Sequence, residues 1–184
     1  MKWGPHITKV VKKANKSLSF LRRNLRVQSQ RLKERAYKAL VRPTLEYASS
    51  VWDPHNTEDI TKLEAVQRRA ARWVVNRHRQ TSSVASMLHD LKWPSLQSRR
   101  RQARLINFFK FVNGCLVITS SRLPTRSSAP RRSVRRTNPI NFNLPQCRCN
   151  YRQKSYFPAT IRDWNALPAE AALCDSVEAF KSRI

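Results

Sequence analysis

In a chain of 184 residues, 37 Lys and Arg stand against 11 Asp and Glu, a formal charge of 37 − 11 = +26. So much like charge repels itself unless a polyanion or salt neutralises it, which makes nucleic acid the expected partner. No apolar run approaches the roughly 20 residues that cross a bilayer, and the opening MKWGPHITKVVKK has neither a signal-peptide core nor a lipid or amphipathic anchor. A soluble intracellular chain with no membrane partner is expected, in the nucleus or the cytoplasm. Two glycines, Gly4 and Gly114, are too few for the tight turns of most all-β folds, so the expected fold class is all-α. Without a secretory signal, Cys115, Cys147, Cys149 and Cys174 are expected to stay thiols.

Ile7, Val10, Val11, Ala14, Leu18, Leu21 and Leu25 recur at spacings of three and four, which predicts a helix ending near 24–26. Its other face carries Lys9, Lys12, Lys13, Lys16, Arg22 and Arg23. A second helix is expected over 30–50 with Leu32, Ala36, Leu40 and Tyr47 facing inward, kinked or broken at Val41 and Arg42 because Pro43 removes a donor and crowds the preceding turn. In DPHNTEDI, Asn56 suits a helix N-cap, and Glu58 and Asp59 sit where the helix dipole favours acids. The helix they open, 60–78, places Ile60, Leu63, Val66, Ala70, Trp73 and Val74 on one side and Arg68, Arg69 and Arg72 nearly opposite.

SSVASMLHDLKW predicts a short helix, and PSLQSRRRQARLINFFKFVNG another, capped by Ser95 and stopped by Gly114. Leu96, Ala103, Ile106 and Phe109 form its expected buried stripe, which Arg99, Arg100, Arg101 and Arg104 cannot all join. From about 119 to 145 the pattern dissolves into Ser, Pro, Arg and Asn, and SSRLPTRSSAPRRSVRRTNP is expected to be flexible because it buries too little to offset its ordering entropy. Beyond it, NYRQKSYFP reads as extended, and ATIRDWNALP and SVEAFKSRI as two short helices docking Tyr156, Phe157, Trp164, Leu167 and Phe180.

Arginine suits phosphate because its planar fork donates two parallel hydrogen bonds. The repeated pairing of apolar stripes with cationic faces makes Arg68, Arg69, Arg72, Arg99, Arg100, Arg101 and Arg104 the leading nucleic-acid-binding candidates, with Lys12, Lys13, Arg22 and Arg23 behind them. Trp52, Trp73, Trp93, Phe108 and Phe109 interleave with these cations and could stack on bases, but Trp73, Trp93 and Trp164 sit at apolar periodic positions and are expected in the core. Cys147-Arg-Cys149 lacks the spacing and the second ligand pair of a zinc site, so no metal is expected. The acids are scattered and match no two-metal or nucleophile pattern, so no catalytic residue is assigned.

AYKALVRPTLEYASSVWDP followed by LEAVQRRAARWV resembles the region C-terminal to the catalytic palm of jockey-like non-LTR (LINE-type) retrotransposon reverse transcriptases. SMLHDLKWPSLQSRRRQARL, YFPATIRDWNALP and SVEAFKSRI agree in the same order. The resemblance implies the thumb and C-terminal connection of an RNA-directed DNA polymerase, which grips template-primer RNA, DNA or their hybrid. It also implies that the Mg2+-binding aspartates of the complete enzyme lie in a palm not contained in these residues, so the chain by itself is expected to have no cofactor and no polymerase activity. The expected organisation is a thumb-like helical domain over 5–114, a basic flexible linker over 115–148 and a small, mostly helical module over 149–184. A truncated element is one expectation. The alternative is a non-catalytic interaction or relic product that folds only with a palm domain supplied in cis or in trans.

Overall fold

The computed structural model describes residues 3–76, 83–116, 124–127 and 139–184. The fold is all-α, and the chain divides into two compact units, residues 1–100 and 101–184. That division differs from the expected boundaries near 114 and 149, because the helix over 96–112 gives its first turn to one core and its remainder to the other.

In the first unit, α1 (Gly4–Asn24) buries Ile7, Ala14, Leu18 and Leu21, the stripe that spacing predicts. Next come α2 (Gln30–Ala36), a π-helical turn (Tyr37–Val41), α3 (Arg42–Glu46) and α4 (Ser49–Trp52). Here the expected inward set is corrected. Leu32, Leu40 and Tyr47 are exposed and Ala36 only half-buried, while Lys33, Tyr37, Val41 and Leu45, at spacings of four, face inward. Four residues advance an α-helix by about 40° beyond a full turn. The wider π-turn, closed by Arg42 N–H donating to the Tyr37 carbonyl, takes up that drift and holds Val41 and Leu45 on the side of Tyr37. It also falls where the Pro43 ring would crowd the carbonyl four residues earlier, so the expected break is a change of hydrogen-bond register. Lys33 tolerates burial because its stem is apolar and its ammonium lies 5.8 Å from the centroid of the Trp73 ring.

The fifth helix, α5 (Thr57–Val75), starts where Asn56 accepts a hydrogen bond from the Glu58 N–H (3.2 Å) and ends at Asn76 in the left-handed conformation. It buries Leu63, Val66, Ala70, Trp73 and Val74 as expected, with Ile60 half-buried. Then α6 (Val84–Asp90) carries Met87 and leads to Trp93, whose ring stacks on Tyr37 at 4.4 Å. Through these, a buried polar chain crosses the unit. Tyr37 donates its hydroxyl to Gln67 Oε1 (3.2 Å), Gln67 Nε2 donates to the Pro94 carbonyl (2.9 Å), and the Trp93 indole N–H donates to Glu34 (3.1 Å).

Burial pushes the Tyr37 hydroxyl well above the ordinary phenol range, with the nearby Glu46 carboxylate adding to it. An acid that holds its proton more tightly when folded contributes full stability below its unfolded pKa, near 10, and loses it as pH rises beyond. Above about pH 10, Tyr37 is therefore expected to lower stability by about 1.4 kcal/mol per pH unit. Denaturant titrations of the parent and Tyr37→Phe should diverge over that range, the variant lacking this part of the slope.

The seventh helix, α7 (Leu96–Val112), is capped by Ser95, which accepts from the Ser98 N–H (3.0 Å), while Glu64 of α5 accepts from the Gln97 N–H (2.9 Å). Gly114 beyond its end has φ 71°, the left-handed geometry expected of a helix stop.

In the second unit, Leu105, Phe108 and Phe109 of α7 are buried. Two of these, Leu105 and Phe108, lie outside the expected stripe, and Ala103 and Ile106 are only half-buried. NYRQKSYFP is not extended: it contains α8 (Asn150–Gln153) and the start of α9 (Tyr156–Asn165), followed by α10 (Ala169–Ala172) and α11 (Val177–Arg183). Phe180 stacks on Phe109 at 4.4 Å, and Trp164 meets Phe108 edge-on at 5.2 Å. Tyr156 and Phe157 are half-buried, and Leu167 is buried.

Parts of the expected linker belong to this core. Phe142 is buried, exchanges two hydrogen bonds with the Asn165 side chain, and sits one residue from Asn141 and Asn143, whose backbones pair with Ser127 and Thr125. Trp164 also donates its indole N–H to the Ile140 carbonyl (2.7 Å). The rest of the expected linker, 117–123 and 128–138, lies outside the described residues, as do residues 77 and 78 at the end of the predicted helix 60–78.

Candidate nucleic-acid interface

The seven arginines that lead the sequence reading fall into two groups once folded. Arg99 makes a two-armed ion pair with Glu46, one arm Nη2 to Oε2 at 3.0 Å and the other Nε to Oε1. That hydrogen bonding raises its pKa further above the ordinary arginine value. Arg100 is 1% exposed, with Nε donating to Asp53 Oδ1 at 2.8 Å. In the second unit, Arg101 and Arg104 share Asp163, at 3.2 and 2.9 Å. Arg100 is therefore removed from the proposed surface, since no ligand can reach it. Arg99 and Arg104 are largely committed to carboxylates of the chain, and Arg101 keeps about half its side-chain surface, 52%. The cluster RRR reads as one basic face in sequence, yet each member is matched by an acid far along the chain.

The other group is different. Arg69 is exposed, and Arg68 and Arg72 are half-buried, opposite the buried stripe of α5. No carboxylate among the described residues pairs with them. Arg69 Nε donates to the Ala65 carbonyl at 3.1 Å, which ties its guanidinium back along α5. There it forms part of the rim of a groove of about 390 Å³ bounded by Val11 of α1 and by Thr61, Lys62 and Ala65 of α5.

On α1, Lys9, Lys12, Lys13, Lys16, Arg22 and Arg23 are all exposed. The first acid in the chain is Glu34, so no acid lies on this helix. Nor do acids from elsewhere in the unit pair with it. Glu34 takes Lys38 (2.5 Å) and Trp93, Glu46 takes Arg42 and Arg99, and Asp53 takes Arg100. Glu58 and Asp59 share Lys62, Glu64 accepts from the Gln97 N–H, and Asp90 lies beside His89. The candidates ranked second by sequence are therefore the ones most open to a ligand. From Lys9 to Arg23 their line extends about 21 Å at 1.5 Å per residue.

Trp73, Trp93 and Trp164 lie in the two cores as expected, and Trp52, Phe108 and Phe109, the other rings interleaved with the cations, are buried there too. All four cysteines are free, and among the described residues no group of three or more His, Cys, Asp or Glu is placed to hold a metal. No described helix is long and apolar enough to cross a membrane.

Comparison with protein-family models, with curated proteins and with solved structures finds nothing that matches this chain.

Proposed function

We propose that the chain binds nucleic acid through phosphate contacts, largely without base preference, and that it is the thumb and C-terminal connection of a non-LTR retrotransposon reverse transcriptase. One observation carries the binding reading: the acids of the first unit lie against other cations and backbone donors, while the exposed line on α1 and the Arg68, Arg69 and Arg72 face of α5 have no carboxylate partner among the described residues. Unpaired cations held by a helical scaffold are the electrostatic footprint of a polyanion site. The polymerase assignment rests on the sequence blocks alone. In this reading the chain positions a duplex and performs no chemistry. Measurable primer extension by the purified protein would overturn the non-catalytic part of it.

Neutralising Z phosphates makes log affinity fall with log salt at a slope of about −0.9Z on duplex DNA. Replacing Arg68, Arg69 and Arg72 together by Gln should flatten that slope by up to about 2.7. An unchanged slope and affinity would remove α5 from the surface. Arg99→Gln, by contrast, should lower stability through loss of the Glu46 pair and change the slope little.

A second reading has its own observation. Leu32, Leu40, Tyr47 and Val51 are all exposed in the segment from α2 to α4, large apolar side chains of the kind that a partner covers. A palm domain, in cis or in trans, is the partner that the sequence resemblance suggests. Sedimentation of the isolated chain separates the two readings: a soluble monomer that binds oligonucleotide supports autonomous binding, and aggregation relieved by Leu40→Gln with Tyr47→Gln supports dependence on a partner.

A further inference from the structure

Along α1, Lys9, Lys13, Lys16, Phe20 and Arg23 recur at spacings of four and three, the same rule that lines Ile7, Val11, Ala14, Leu18 and Leu21 along the opposite face. Phe20 therefore lies in the cationic register, and it is 57% exposed. The other large aromatics of the first unit behave differently: Tyr37, Trp52, Trp73 and Trp93 are buried, Trp3 is half-buried against the core, and the exposed Tyr47 lies outside α1, among other exposed apolar residues between α2 and α4. Lys16 and Arg23, four residues before Phe20 and three after it, are its neighbours on the helix surface, with Cβ atoms about 5–6 Å away. Both are exposed, and neither has a carboxylate partner among the described residues.

We propose that Phe20 is a stacking platform for an unpaired base, with Lys16 and Arg23 taking the phosphates on either side. This rests on the phosphate-binding reading and narrows it, from any polyanion to a nucleic acid that offers a single-stranded segment or a frayed end. A phenyl ring has a face on which any base can stack, so the platform needs no sequence preference. Flanking cations supply the backbone attraction that an apolar ring lacks.

The test uses the full chain with two probes of one sequence, a single-stranded oligonucleotide carrying 2-aminopurine and its blunt duplex. Because Phe20 is exposed, Phe20→Leu and Phe20→Tyr should keep the parent's circular dichroism. Phe20→Leu should weaken single-strand binding about tenfold and abolish the quenching of 2-aminopurine, leaving the duplex affinity and both salt slopes unchanged. Phe20→Tyr, which keeps the ring, should restore both signals. Equal loss on the two probes, or no loss on either, overturns the stacking role. So does Phe20-dependent flotation with anionic vesicles when oligonucleotide binding ignores the substitution. Failure of the parent itself to bind either probe in a salt-dependent way would instead remove the underlying phosphate-binding reading.

Discussion

Asp53→Asn should cost about 3 kcal/mol of stability. Its partner Arg100 has no exposed side-chain surface, so its guanidinium charge is held away from water. Only Nε of the guanidinium meets Asp53, and its two Nη atoms have no hydrogen-bond partner among the described residues. Asparagine keeps the shape and one acceptor but withdraws the compensating charge, leaving a cation buried alone. The loss should appear as a lower urea midpoint at constant m. Adding Arg100→Met should recover most of it, because an apolar side chain of similar length fills the space with no charge to solvate. If Asp53→Asn leaves the midpoint where it was, the pair does not hold this corner of the first unit.

The largest effect on binding is expected from α1. Replacing Lys9, Lys12, Lys13, Lys16 and Arg23 together by Gln removes five of the six exposed cations of α1, leaving Arg22, without touching the core face, so the helix should persist and self-repulsion should fall. If each cation meets one phosphate of a duplex, the slope of log affinity against log salt should shrink by about 4.5. At physiological salt little duplex binding should remain. Fluorescence anisotropy over a salt series would read this. Retention of the parent slope would place the binding surface elsewhere and leave the charge of α1 as a solvated face.

Much of the architecture is written in short-range spacing. The stripes of α1 and α5, the Asn56 and Ser95 caps, the Gly114 stop and the burial of Trp73, Trp93 and Trp164 each depend on residues within a turn or two of one another. The cation line of α1, and the place of Phe20 within its register, are legible for the same reason. Over 30–50 the local signal misled. Two candidate inward sets, Leu32, Ala36, Leu40 and Tyr47 on one side and Lys33, Tyr37, Val41 and Leu45 beside it, compete on the helix, and only the π-turn and the contacts of Tyr37 with Gln67 and Trp93 select between them.

The arginines show where local pattern stops carrying information. Seven of them share one chemistry and similar helical settings, yet Arg99, Arg100 and Arg104 meet carboxylates 53, 47 and 59 residues away, whereas Arg68, Arg69 and Arg72 meet none among the described residues. Charge and helical face follow from the order of residues, because both are properties of a single segment. Whether a cation is spent inside the molecule or left for a partner depends on which acid folding delivers within about 4 Å, since beyond that distance water screens the pair. That choice is made between segments, and the folded chain alone makes it.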